Sequence, residues 1–208
     1  MSRALGIELF QLKGKSAIIT GGSKGLGKAM AEGLASAGAD LLLVSRHRQE
    51  VEATADRIAS EYCRKIIGLQ ANVSKLSDVE HIVEQAIEEF GKIDILINNA
   101  AINIRGSIEE LSLKQFEEVM SVNTTGCWLL CRAVSPHMRK VRYGRVINIS
   151  STIGTVGMAN RSPYASSKGA LTIMTKALAL EWAQYGITVN AICPGPFLTP
   201  MNKPIANL

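Results

Sequence analysis

Aromatic side chains make up only 5% of the 208 residues, from two tryptophans, four tyrosines and four phenylalanines. A nucleic-acid surface usually interleaves basic residues with stacking rings, so this scarcity weighs against one. The formal net charge is +5, but the basic residues are scattered. The one cluster, Arg139, Lys140, Arg142 and Arg145, reads as a solvated helix end. Cysteine is also sparse: Cys63, Cys127, Cys131 and Cys193 include no Cys-x-x-Cys pair, and no His/Cys group has zinc spacing. No metal is therefore expected. Cys127 and Cys131 lie four apart, on one helix face, where packing is the expected role. No apolar run approaches the roughly 20 residues that span a bilayer, and Met1 to Leu12 lacks the apolar stretch of a signal peptide. These features fit a reducing, cytoplasmic setting without membrane or nucleic-acid partners.

The remaining composition is that of an ordinary globular chain, 47% hydrophobic and 20% charged. Ala, Gly, Ile, Leu and Val dominate, which suits small-residue helices packed on a buried parallel sheet. The length favours one domain over residues 1–208.

Apolar runs of strand length alternate with helical periodicity. Strands are expected at Ser16–Ile19, Leu41–Val44, Lys65–Leu69, Ile93–Ile97, Gly144–Ile149 and Ile187–Ile192. Helices are expected at Gly25–Ala37, Gln49–Tyr62 and Asp78–Phe90, the last capped by Ser77 and stopped by Gly91. A long helix should run from a Ser112 cap to about Arg139, disturbed near Gly126 and Pro136, and another should span Pro163–Tyr185. This β-α alternation implies an α/β fold, a single-domain doubly wound parallel sheet of Rossmann type with helices on both faces. Ligands of such sheets sit at the carboxyl ends of the strands.

Three groups of residues fall at such ends. Gly21, Gly25 and Gly27 follow the first strand and open a helix, with G-x-x-x-G-x-G spacing. Glycines there permit a tight turn and close approach to a pyrophosphate, which the helix N-terminus attracts. The second strand ends in Val44, Ser45 and Arg46, with no acid to meet ribose hydroxyls, and Lys24 lies inside the glycine turn. Two cations and a hydroxyl suit a 2′-phosphate, so NADP(H) is expected ahead of NAD(H). Finally, Tyr164 and Lys168 are four apart at a helix start. An ammonium beside a phenol favours phenolate, which makes Tyr164 a proton donor and acceptor for a carbonyl/alcohol pair. Ser150 and Ser151, just past the fifth strand, offer a hydroxyl to the substrate oxygen.

With these motifs in order, the chain resembles the short-chain dehydrogenase/reductase family from Lys13 to Pro200. Thr20 to Gly27 matches the TGxxxGxG cofactor turn, bringing in Ser23 and Leu26. Asn98, Asn99 and Ala100 match NNAG. Asn123, Ser151, Tyr164 and Lys168 match the catalytic tetrad, and Pro194, Gly195 and Thr199 match the stretch along the nicotinamide. The resemblance implies hydride transfer at nicotinamide C4 with Tyr164 as acid/base. Lys168 would lower the tyrosine pKa and bond the nicotinamide ribose. Ser151 would orient the substrate oxygen, and Asn123 would hold a relay water. Asn72 and Val73 would contact adenine, asparagine replacing the more frequent aspartate. Ala101 departs from the last glycine of NNAG. The chain also ends at Leu208, before the substrate lid, helix and seventh strand usual in the family. A homo-oligomer, tetramer or dimer, is a further implication.

Substrate is less clearly written. Asn98 to Arg105 resembles the NNAGI-x-R-R pattern of gluconate 5-dehydrogenase-like members, with Ile104 in place of the first arginine, and Leu180 to Gly186 resembles the same branch. Arg105 and Arg161 are then candidates to pair with a sugar-acid carboxylate, with Ser151 at the reacting oxygen. The alternative enzyme is a 3-oxoacyl-carrier-protein reductase, with Arg139, Lys140 and Arg142 steering an acidic carrier. The alternative of another class is a non-catalytic NADP-binding scaffold.

Overall fold

The computed structural model describes residues 6–199. Pro200, Leu208 and the expectation of a missing lid and last strand lie outside them. Six strands, β1 (Ser16–Thr20), β2 (Asp40–Ser45), β3 (Ile66–Gln70), β4 (Ile95–Asn98), β5 (Gly144–Ile149) and β6 (Ile187–Ile192), form one parallel sheet in the order β3-β2-β1-β4-β5-β6. The order reverses between β1 and β4, and loops leaving these two strands diverge to opposite faces. A crevice opens there at the carboxyl edge.

The helices are α1 (Gly25–Ser36), α2 (Arg48–Tyr62), α3 (Leu76–Phe90), α4 (Leu113–Met120), α5 (Gly126–Lys140), α6 (Ile153–Val156) and α7 (Ser162–Trp182). Strand residues alternate between two cores. Ala17, Ile19, Leu41 and Leu43 pack with Ala31, Ala35, Val51 and Ile58 of α1 and α2. Ile18, Leu42, Leu96 and Val146 pack with Val79, Ile82, Leu130, Val134 and Trp182 of α3, α5 and α7. Both faces of the sheet are therefore covered, which is why its strands read as near-continuous apolar runs.

The expected Ser112 cap forms, as a capping box closed with Gln115. The expected Ser77 cap does not. The helix starts earlier, at Leu76, after an N-cap at Lys75 with no side-chain cap bond. Asp78 is turned instead to accept the backbone N–H of Asn72 across the preceding turn at 2.8 Å, a demand that capping preference alone does not reveal. The disturbance expected near Gly126 is a π-turn at Ser121–Thr125 joining α4 to α5. Gly186 closes the α7 segment in the left-handed region, φ 70°.

Candidate active site

A cleft of about 740 Å³ runs across the crevice between the β1 and β4 loops. Gly21, Ser23, Lys24, Gly25, Leu26, Ser45, Arg46, Asn72, Val73, Asn99 and Ala100 line one part. Ser151, Arg161, Tyr164, Lys168, Pro194, Gly195 and Thr199 line the other. Three expected site residues are not on its wall: Gly27, Asn123 and Arg105.

Gly21 and Gly25 have φ of +66° and +58°, which an L side chain adopts only with strain. Gly27 serves packing instead, since a Cβ there would lie 2.1 Å from the Gly21 carbonyl oxygen. Asn99 latches the two sides of the crevice. Its Nδ2 donates to the carbonyls of Thr20 and Gly21 at 2.9 and 3.1 Å, and the backbone N–H groups of Asn99 and Ala100 donate to Thr20 Oγ1. No side chain caps α1, so its first-turn N–H groups and positive dipole end are offered towards the glycine turn.

The cation set beside β2 is weaker than the sequence suggests. Lys24 Nζ lies 3.2 Å from Glu50 Oε2, both half-exposed, so its charge is shared with a carboxylate. Ser45 Oγ accepts from Ser23 Oγ at 3.2 Å. Arg46 is exposed and has no acidic partner among the described residues. Asn72 Oδ1 already accepts from the N–H and hydroxyl of Ser74, at 3.1 and 2.9 Å. The acceptor expected to meet an adenine amino group is therefore occupied, and Asn72 instead shapes the turn that carries Val73.

At the other end, Lys168 is fully buried and its Nζ donates to the Ile149 carbonyl at 2.6 Å. It stands 5.7 Å from the centre of the Tyr164 ring. Burial pushes Lys168 down to about 8, opposed by the nearby Cys127 and Cys193 thiols. Burial also raises the Tyr164 phenol above its ordinary value, and the hydrogen bond with Ser151 pulls it back. The downward pull on Tyr164 expected from Lys168 is thus supplied here by Ser151. The two serines after β5 divide their work. Both line the cleft, but the Ser150 hydroxyl turns inward to donate to the Lys168 carbonyl at 2.8 Å, while the Ser151 hydroxyl bonds Tyr164.

Asn123 works from behind the wall. Its Oδ1 accepts from the Ile102 N–H and its Nδ2 donates to the Ile102 carbonyl, both at 2.9 Å. Nδ2 also donates to Ser167 Oγ at 3.0 Å. Every polar atom of that amide has a protein partner, so the side chain ties the loop after β4 to α7. Arg105 stands close enough to Arg161 that the two guanidiniums repel. Arg161 is held below its ordinary value first by burial and then by Arg105. Neither has a carboxylate partner among the described residues. Met158, Ile153, Phe197 and Leu198 also line the cleft. Ile153 opens the short α6 and the other three lie in loops; none belongs to a periodic segment or motif, and only their nearness to Ser151 and Pro194 in the sequence hinted at them.

Cys127 and Cys131 are buried among the core side chains of α5, and burial pushes their thiols up to about 11 and 12, as expected of packing residues. Among the described residues, no group of three His, Cys, Asp or Glu side chains could hold a metal ion, and no helix is long and apolar enough to cross a membrane.

Comparison with known proteins agrees with this geometry. The short chain dehydrogenase family model matches residues 15–207. The chain is 37% identical over 204 residues to the 2-dehydro-3-deoxy-D-gluconate 5-dehydrogenase of Formosa agariphila, covering 97% of this chain and 76% of that one. It is 35% identical over 201 residues to the 5-keto-D-gluconate 5-reductase of Escherichia coli K12, covering 94% and 77%. A solved short-chain type dehydrogenase/reductase from Mycobacterium marinum superposes with a TM-score of 0.92 at 33% identity, covering 97% of this chain and 80% of that one.

Proposed function

This chain belongs to the short-chain dehydrogenase family of oxidoreductases, and from that premise we propose that it interconverts a ketone and a secondary alcohol on a sugar acid, with Tyr164 as the acid/base. The observation that carries this reading is the convergence of Ser151, Tyr164 and the buried Lys168 on one wall of a cleft whose opposite end is a glycine turn at a helix N-terminus.

The cleft suits a nicotinamide dinucleotide. The backbone at Gly21, Gly25 and Leu26 and the uncapped α1 terminus would hold its pyrophosphate. Ser45 and Arg46 would meet the adenosine ribose, and Lys168, Pro194, Gly195 and Thr199 the nicotinamide end. When bound, the nicotinamide supplies or accepts the hydride. Tyr164 Oη delivers the proton to the carbonyl oxygen in reduction and removes it in oxidation. Ser151 donates to the same oxygen and stabilises the charge that develops there. Lys168, buried in that same wall, adds a cation that favours the phenolate when it carries its proton, beside the Ser151 bond. NADP(H) is our preferred cofactor, because no acid ends β2 and Arg46 has no acidic partner among the described residues. The Lys24–Glu50 pair tempers that preference and leaves NAD(H) second.

The sugar-acid assignment is supported by the names of the relatives and by the paired guanidiniums of Arg105 and Arg161, two cations without a carboxylate partner among the described residues. Arg161 reaches the cleft and Arg105 reinforces it. The free thiols of Cys63, Cys127, Cys131 and Cys193 support a cytoplasmic setting. The exposed Leu113, Phe116, Trp128 and Ile173 support a homo-oligomer.

The deciding measurement is oxidation of NADPH and NADH over a panel of ketogluconates, diketones and 3-oxoacyl thioesters. We expect turnover of ketogluconates, greater with NADPH, and abolished in Tyr164→Phe. Arg161→Ala should raise KM for the acid, by about tenfold for a lost charge-assisted bond, and leave neutral diketones unaffected. Turnover that is indifferent to Tyr164 would overturn the catalytic assignment. A KM indifferent to Arg161 and Arg105 would overturn the sugar-acid one.

A further inference from the structure

We infer that Ser167 is a positioning residue for Tyr164, an inference that rests on the acid/base reading above. Tyr164 lies in the first turn of α7, where helices fray, and no side chain caps that terminus: the N-cap is Arg161 and makes no side-chain cap bond. What fixes the turn is Ser167, whose side chain is fully buried. Its hydroxyl donates to the Tyr164 carbonyl at 2.8 Å and accepts from Asn123 Nδ2 at 3.0 Å. The neighbouring Thr124 hydroxyl donates to the Ser167 carbonyl at 3.2 Å. Asn123 in turn grips both backbone groups of Ile102. One hydroxyl thus closes a chain from the loop after β4, through the π-turn, to the backbone that carries the phenol. It holds that phenol against Ser151.

The side chain of Ser167 is absent from the cleft wall, so it touches neither substrate nor cofactor. Its loss should act on the orientation of Tyr164 rather than on binding. Ser167→Ala is expected to lower kcat by about tenfold, the factor for one buried hydrogen bond, while KM for substrate and cofactor stays unchanged. The limb of the pH profile that reports Tyr164 should move to higher pH, because the phenol loses the Ser151 bond that opposes its burial. Ser167→Thr, which keeps the hydroxyl, should restore both. The phenolate absorbance of Tyr164, obtained by subtracting the matching Tyr164→Phe protein, should titrate higher in Ser167→Ala and normally in Ser167→Thr.

An unmoved pH limb and an unmoved phenolate titration in Ser167→Ala would overturn the inference, whatever happens to stability. Equal loss in the alanine and threonine variants would overturn it too, since packing volume would then be the cause. The phenolate titration needs no turnover. If the parent protein reduces nothing in a Tyr164-dependent way, the acid/base reading fails, and the titration still decides the role of Ser167.

Discussion

Lys168 has the least favourable environment of any charged side chain in the cleft. Burial lowers it from 10.5 to about 8, so between those values the folded protein binds fewer protons than the unfolded chain. Stability attributable to this residue therefore rises with pH across that window, by roughly 3 kcal/mol in full. The buried thiols act in the opposite sense. With Cys127 raised from 9.0 to about 11 and Cys131 to about 12, their contribution is complete below 9 and is lost as pH climbs through the folded values. Comparing the wild type with Lys168→Met removes the thiol contribution the two proteins share and leaves Lys168 with its coupling to Cys127 and Cys193. Denaturant midpoints followed from pH 7 to 10.5 should show the wild type gaining on the variant above pH 8; parallel curves would refute the assignment. Glu50 is the second residue with a clear prediction. It shares the charge of Lys24 at 3.2 Å, so Glu50→Gln should shift the ratio of NADPH to NADH kcat/KM towards NADPH, by about twofold to fivefold for a half-exposed pair. A shift towards NADH would refute that reading of the glycine turn.

At the scale of elements, the π-turn does more than bend a helix. It presents Asn123 to Ile102 and Thr124 to α7, and it ends on Gly126, which lets α5 close on the β3-α3 loop. A Cβ at Gly126 would meet the Val73 carbonyl oxygen and Cγ2 at 2.9 Å each. Backbone cannot yield as a flexible side-chain end can. Gly126→Ala should cost about 1–3 kcal/mol of stability by overpacking and weaken cofactor binding through displacement of Val73. Calorimetry and a fluorescence titration with NADPH would check the two effects. Ser112 and Gly91 were readable locally because a capping box and a left-handed stop are properties of adjacent residues. Ser77 misled because Asp78, its neighbour, is recruited by Asn72 across a turn.

At the scale of the molecule, the basic cluster and the cleft lie at opposite ends of the sheet. Arg139 stacks on Tyr185 at 4.1 Å and donates to its hydroxyl. Arg142 donates to the Gln184 carbonyl at 2.7 Å, and Lys15 and Arg145 flank Tyr143 at 3.8 and 4.3 Å. This basic end sits where β5 begins, and the cleft lies where it finishes, roughly 20 Å away for six residues of strand. Cations there are poorly placed to guide an acyl carrier to Tyr164. The double variant Arg139→Glu with Arg142→Glu should leave kcat/KM and its salt dependence unchanged; a salt-sensitive loss would revive the carrier-protein reading.

The sequence by itself determined the parallel sheet, the glycine turn and the order Asn123, Ser151, Tyr164, Lys168. Burial on both faces writes apolar runs into a chain, and a turn that brings backbone to a ligand writes glycine at fixed spacing. Only the tertiary structure decided how those residues share the work. It turned Ser150 inward and Ser151 outward, and filled the acceptor of Asn72. It paired Lys24 with Glu50 and moved the Asn123 amide behind the wall onto Ser167. Each of these is a hydrogen bond or ion pair between residues that are distant in the chain or choose among local partners. Such choices depend on which groups burial leaves without water, and no spacing rule along the sequence carries that information.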